Sequence, residues 1–328
     1  MRPPSLQPLV PGLFLLEAEK DGRFPYSHSF VVRGEVELLI DAGCGLERLR
    51  ALRRAWRPDR LVVSHSHPDH CAGAWLFPDA ELVSPRERSD SFWRFAPQSI
   101  RFAGHDHAEL WRDFVSGAMG IRELAATGHF GHGDVIDAGG IALECHHAPG
   151  HTDDHYILYE PHHGIVMSFD IDLSAFGPWY GHVESDIDRF LSSISAVAAL
   201  EPTMLLSSHK GVIVDDIGGR LAAFAAVVES RERCILELLN RARTLDELIE
   251  ASPIYGGRAY APGVLDYWEG QMIRKHLERL ERQGRAHRTG PGDADLGGLE
   301  LDRNRAEGLQ GAAAKLDRFH DRTRWVRR

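Results

Sequence analysis

Leu61-Val62-Val63-Ser64-His65-Ser66-His67-Pro68-Asp69-His70 runs from a short apolar segment into three imidazoles and a carboxylate packed within six residues. A buried strand feeding a polar loop is how layered α/β folds present reactive groups at strand ends. Period-two alternation puts His65 and His67 on one side of the loop and lets Asp69 and His70 turn toward a second position. Neutral imidazole nitrogen and carboxylate oxygen suit zinc, with iron or manganese as alternatives.

The same strand-then-ligand pattern recurs downstream. Ile141–Cys145, Ile165–Phe169 and Met204–Leu206 read as strands. They lead to Pro149-Gly150-His151-Thr152, to Asp170 and to Ser207-Ser208-His209 respectively. A divalent ion on His65 and His67 lacks a ligand that His151 can supply. A second ion can use Asp69, His70 and His209, and Asp170 can bridge the two. Two cations roughly 3.5–4 Å apart can share a carboxylate and a water that deprotonates easily to become a nucleophile. A closed structural zinc site usually has four ligands, often with Cys. Seven nitrogen and oxygen candidates without Cys favour an open catalytic pair. Asp172 follows Asp170 closely and competes with it for the bridging position.

Composition narrows the class. The chain has 328 residues, 43% of them hydrophobic, and a formal charge of −10. That charge disfavours a purely electrostatic nucleic-acid binder, which needs a basic surface. The 4 Cys form no CxxC pair, so free thiols and a cytoplasmic, reducing compartment are the simpler reading. The N-terminal apolar stretch is short and broken by Pro3, Pro4, Pro8 and Pro11, which makes neither a signal peptide nor a membrane span.

Further strands are expected at Leu13–Leu16, Phe30–Val32, Val36–Ile40, Ala80–Val83 and Tyr156–Tyr159, with helices at Glu47–Trp56 and Ile187–Leu200. Residues 87–128, rich in aromatics, read as a mainly helical insertion or cover. From 218 the pattern becomes helical: Leu221–Asn240, then Thr244–Ala251 with Glu247 placed for a capping box, then Tyr267–Gln283 stopped by Gly284. Arg285–Arg288 could start a small hairpin. The expected division is 10–217 for a catalytic domain, 218–289 for a small helical one, and 290–328 for a loose or partly helical tail with a helix over Arg305–Phe319.

The segment Ser64-His65-Ser66-His67-Pro68-Asp69-His70, followed in order by Gly150-His151, Asp170 and His209, resembles the signature of the metallo-beta-lactamase superfamily. The resemblance covers about residues 10–215. It implies an α/β fold, a four-layer αβ/βα sandwich, with His65, His67 and His151 on the first metal, Asp69, His70 and His209 on the second, and Asp170 bridging. It implies also that Asp41, in Asp41-Ala42-Gly43, orients a ligand His. Many members carry Gly before the bridging Asp, where this chain has Phe169. Residues 244–287 resemble the winged-helix domain that follows the catalytic domain in some members. The helix there mixes Glu278 and Glu281 with basic residues, so a role shaping the substrate entrance is favoured over DNA reading.

These readings converge on a metal-dependent hydrolase with two divalent ions, zinc first, whose bridging hydroxide cleaves a small thioester, lactone or related ester. A phosphodiesterase or nuclease using the same site is the alternative; a di-iron redox enzyme is a third class. The expected partner is a small molecule, with nucleic acid and membrane disfavoured and a homodimer compatible. Asp69 and Asp170 are the first catalytic candidates. After Asp170, Phe176 and Trp179 are candidates to contact an acyl group, and Tyr180 and His182 to donate a proton or hydrogen bond. Cys71, beside His70, reads as a buried inert thiol.

Overall fold

The computed structural model describes residues 5–88, 93–257, 263–289 and 323–327. Alternating apolar residues build two sheets. The first takes its strands in chain order: β1 (Leu6–Val10), β2 (Leu13–Leu16), β3 (Ser29–Val32), β4 (Leu38–Ile40), β5 (Arg60–Val62), β6 (Glu81–Pro85) and β7 (Gly128–Phe130). It is antiparallel from β1 to β4 and parallel from β4 to β7. The second contains β8 (Val135–Asp137), β9 (Ala142–His147), β10 (Tyr156–Glu160), β11 (Ile165–Phe169), β12 (Met204–Ser207) and β13 (Gly211–Ile213), in the order β13-β12-β11-β10-β9-β8. Its β11–β12 pair is parallel and the others antiparallel.

One core lies between these sheets. Leu13, Leu15, Phe30, Val32, Leu38 and Ile40 from the first meet Leu143, Cys145, Leu158, Ile165, Met167 and Phe169 from the second. Each pair two residues apart shares a face, which is the period of a pleated strand. Helices carry the outer layers of this αβ/βα sandwich. In α1 (Leu46–Ala55), Leu49 and Leu52 are buried. In α4 (Ile187–Ala199), Ile187, Phe190, Ile194 and Val197 form the buried stripe expected of a 3.6-residue period. Asp186 caps α4 by accepting the Arg189 N–H.

The expected strands and helices recur with ends shifted by a few residues, as hydrogen bonding rather than composition sets an element's end. In the two large sheets, four strands lie outside the sequence expectations: β1, β7, β8 and β13. All are short, and β1 contains Pro8, tolerated because β1 is an edge strand whose register shifts between Pro8 and Val10. The stretch 87–128 holds one long helix, α3 (Phe95–Asp113), interrupted at Gly104 and followed by a π turn at Phe114–Ala118.

The chain divides into two compact units: Met1–Gln98 with Arg112–Trp179 and Glu184–Ala226, and Ser99–Trp111 with Tyr180–Val183 and Val227–Arg328. The division therefore falls inside α5 (Ile217–Leu238) rather than at 217–218, and 99–111 and 180–183 pack with the second unit. That unit holds α6 (Leu245–Ala251), α7 (Val264–Arg282) and a two-stranded sheet of β14 (Ala286–Thr289) and β15 (Arg324–Arg327). The capping box is present: Glu247 N–H donates to Thr244 Oγ1, and Thr244 N–H to Glu247 Oε2. The strand expected near Arg285–Arg288 exists, but its partner comes from the C-terminus, where Trp325 joins Ile235, Leu239, Leu248, Ile273 and Leu277 in a core. The helix expected at Arg305–Phe319 lies outside the described residues. All four cysteines are free thiols. No helix among the described residues is long and apolar enough to cross a membrane.

Phe169, just before Asp170, holds an unusual backbone conformation. Its φ is +49°, in the left-handed region, where a side chain costs about 1 kcal/mol or more. The ring offsets this by full burial, edge-on to Phe30. Phe169→Ala is expected to lose about 3–5 kcal/mol of packing while keeping the backbone strain. Phe169→Gly loses the same packing but relieves the strain, so urea unfolding should find it about 1 kcal/mol more stable than the Ala variant. An Ala variant more stable than the Gly variant would contradict this account.

Candidate metal centre

β5 runs into a bend at Ser64–Ser66 that carries His65; His67 follows in extended backbone, and Pro68 then opens the short helix α2 (Pro68–Cys71), where its fixed φ suits the first turn. Asp69 and His70 ride on that turn. His151 sits in the loop between β9 and β10, Asp170 follows β11, and His209 follows β12. Gly150 is needed beside His151: its φ is +127°, and a Cβ there would stand 2.2 Å from the Phe190 nitrogen.

These side chains assemble into two groups, His65–His67–His151–Asp170 and Asp69–His70–His209, with the ligand atoms of each group within 4.8 Å of one another. Asp170 reaches both. Its Oδ2 lies 3.6 Å from His65 Nε2, 3.7 Å from His67 Nδ1 and 3.1 Å from His151 Nε2. Its Oδ1 lies 3.0 Å from His70 Nε2 and 3.4 Å from His209 Nε2. Asp69 Oδ2 stands 3.9 Å from His70 Nε2 and 3.6 Å from His209 Nε2. Asp172, the competitor, is in neither group; its carboxylate accepts the Ser174 N–H.

The donor set fits two divalent cations. His65 Nε2, His70 Nε2 and Asp170 Oδ1 are buried and make no well-directed hydrogen bond, the 3.0 Å approach of the last two included, a costly state for polar atoms unless something else engages them. The opposite ring nitrogens are occupied. His65 Nδ1 meets Ser64 Oγ at 3.0 Å, His70 Nδ1 meets Asp41 Oδ2 at 2.6 Å, His151 Nδ1 donates to the Trp179 carbonyl at 2.8 Å, and His209 Nδ1 donates to the Gly22 carbonyl at 2.6 Å. Such partners fix ring orientation and leave Nε2 for a metal. His67 differs, turning Nδ1 toward the group. Asp41 also accepts from Ser64 N–H and Oγ.

The electrostatics follow the same division. Burial lowers the His65 pKa, and His70 and His67 lower it further, well below the ordinary value. Burial works against His70 too, but Asp170, Asp41 and Asp69 outweigh it and hold that pKa well above the ordinary value. For His209 burial is likewise outweighed, chiefly by Asp170 and then Asp69, and the pKa is pushed up to about 10. Burial raises Asp170, yet His70 and His209 bring it well below the carboxylate range.

Two further candidates, Tyr180 and His182, have hydrogen-bond partners of their own. Tyr180 is fully buried in the second unit, and its hydroxyl is held 2.7 Å from His276 Nε2 and 2.9 Å from Arg231. His182 is also buried, with Nδ1 on the Arg101 carbonyl and its ring edge-on to Phe102. Their aromatic loop has the same composition whether it packs or catalyses. Trp179 does stand beside the ligands, 5.5 Å from both the His67 and His151 rings. Cys71 is buried, burial pushes its thiol well above the usual range, and Sγ points at the His65 carbonyl. Two residues beyond the sequence candidates also serve the site: Asp154 accepts the Ser66 N–H, and His155 accepts the Asp170 N–H. Their one sequence signal is proximity to His151, three and four residues on.

With this geometry in place, comparison with known proteins adds three findings. Residues 22–209 match the family model described as the metallo-beta-lactamase superfamily. Two curated relatives are an atrochrysone carboxyl ACP thioesterase of Claviceps purpurea, 22% identical over 77% of this chain and 75% of the relative, and a hydroxyacylglutathione hydrolase of Aeromonas salmonicida, 28% identical over 57% and 62% respectively. A crystal structure of a metallo-beta-lactamase family protein from Thermus thermophilus shares the fold with a TM-score of 0.67 at 23% identity, covering 87% of this chain and 98% of that one.

A cation entering the second group must displace protons from His70 and His209. Apparent affinity there should rise with pH, by about tenfold per pH unit for each proton released, up to the His209 pKa. Zinc calorimetry between about pH 6 and about pH 8, in buffers of differing ionisation enthalpy, is expected to show net proton release. A pH-independent affinity with no proton release would contradict the assignment.

Proposed function

Because this chain belongs to the metallo-beta-lactamase superfamily, we propose that it is a hydrolase of small thioesters, working with two divalent cations, zinc first. The division of Asp170's two oxygens between the ligand groups carries this reading, since it is how one carboxylate can be shared by two closely spaced cations. His65, His67, His151 and Asp170 would hold one cation; Asp69, His70, His209 and Asp170 would hold the other. When bound, the pair would supply Lewis-acid polarisation of an acyl carbonyl and a water acidic enough to attack it near neutral pH.

The chain's own residues set the rest. Asp41, Trp179 and Gly22 hold the imidazoles of His70, His151 and His209 by the nitrogens facing away from Asp170. Asp69 is the nearest proton station: burial raises its pKa, and Oδ2 faces the shared space between His70 and His209. The Trp179 ring, part-exposed against His67 and His151, offers an apolar wall for an acyl group. Tyr180 and His182 are given no part, because the Tyr180 hydroxyl is held by His276 and Arg231 and His182 Nδ1 by the Arg101 carbonyl. A leaving group that needs little acid assistance therefore suits the site. A thiolate, the base of a thiol with pKa about 8.5, meets that need better than an alkoxide. The two curated relatives, named for a thioesterase and for a hydrolase of an acylated glutathione, support the same class. The second unit, with its helices and two-stranded sheet, we read as winged-helix-like.

The test is a hydrolysis screen of the zinc-loaded protein over acyl thioesters, lactones and phosphodiesters. Thioesters are expected to turn over fastest; preferential phosphodiester turnover would overturn the substrate choice. Asp170→Asn should lower thioester hydrolysis by about a hundredfold or more and reduce metal content, while Asp172→Asn should change hydrolysis less than about fivefold.

A further inference from the structure

The loop that carries His65 and His67 is gripped through its backbone. The Ser64 N–H donates to Asp41 Oδ1 at 2.8 Å, and two residues on the Ser66 N–H donates to Asp154 Oδ2 at 2.9 Å. Both carboxylates are fully buried. A buried carboxylate–amide bond is among the stronger hydrogen bonds available to a chain. The motif resemblance already implies Asp41 as a partner of a ligand His. It says nothing of Asp154, which grips an amide 88 residues away in sequence.

The residue after Asp154 reaches the other way. His155 Nδ1 lies 3.0 Å from the Ala148 carbonyl, and Nε2 lies 3.3 Å from the Asp170 nitrogen. A carbonyl only accepts and a backbone N–H only donates, so the proton sits on Nδ1 and the Nε2 lone pair takes the Asp170 N–H. Asp170 needs this hold. It follows Phe169, whose left-handed backbone is strained, and strain persists only where surrounding contacts over-determine it. The Ser208 N–H donating to the Phe169 carbonyl is a second such contact.

We propose that Asp154 and His155 form a positioning clamp for the metal pair. Covalently adjacent, they tie the backbone between His65 and His67, and the backbone of Asp170, to the turn that bears His151. The clamp keeps the Asp170 carboxylate shared between the two ligand groups. Neither residue is itself a ligand. The inference rests on the dinuclear reading above and adds what holds the two ligand-bearing strand ends in register.

The experiment titrates cobalt(II) into metal-free full-length protein and reads stoichiometry by elemental analysis and coordination by visible absorption. Asp154→Asn and His155→Gln keep an acceptor for the Ser66 and Asp170 amides; Asp154→Leu and His155→Met do not. The Leu and Met variants should bind the second cobalt about 10–100-fold more weakly with an altered visible band, while Asn and Gln stay within about threefold of wild type. A role in folding alone would lower the melting temperature of the metal-free protein without moving the band. If the Leu and Met variants do not fold, Asp154→Glu decides, because the same charge on a longer stem misplaces Ser66 and must still shift the band. Two cobalt ions bound with wild-type affinity and spectrum in the folded Leu, Met or Glu variants would overturn the clamp alone. Wild-type protein taking up fewer than two would overturn the dinuclear reading beneath it.

Discussion

The structure depends on one carboxylate serving two sides. Asp170 places Oδ2 among His65, His67 and His151, and Oδ1 against His70 and His209. Packing so many imidazoles and two carboxylates into a buried volume is unfavourable in itself, since each loses its hydration. Divalent charge would stabilise such a cluster, and the buried nitrogens and oxygen that lack a well-directed hydrogen bond mark where that charge would sit.

The fold supplies this arrangement by convergence of strand ends. β5, β11 and β12 each end within three residues of a candidate ligand, and the β9–β10 loop brings the fourth contribution. The core between the sheets fixes where those ends lie, while hydrogen bonds fix how the side chains point. Asp41, Ser64, Trp179 and Gly22 reach the imidazoles directly; Asp154 and His155 reach the backbone that carries them. Small errors in that support would cost metal affinity, because a site must hold its groups to within about 0.5 Å.

Much of this was legible because it was local. The run His65 to His70 is dense enough to stand out among 19 His, and the apolar strands before Asp170 and His209 are clear in the period of their residues. What escaped was set by distant contacts. Asp154 looks like any loop acid until Ser66 is seen above it. His155 was one imidazole among many. The left-handed backbone at Phe169 is invisible in the residue itself, and the aromatic loop at Tyr180 and His182 carries the same composition whether it packs or catalyses. Trp325 pairs its strand with a distant one, by the register Arg288↔Trp325, which no local pattern announces.

Anomalous diffraction from crystals of the zinc-loaded protein tests the central claim most directly. The account predicts two peaks, one beside Asp170 Oδ2 with His65, His67 and His151, the other beside Oδ1 with Asp69, His70 and His209. A single peak, or two peaks with both Asp170 oxygens on one of them, would contradict it.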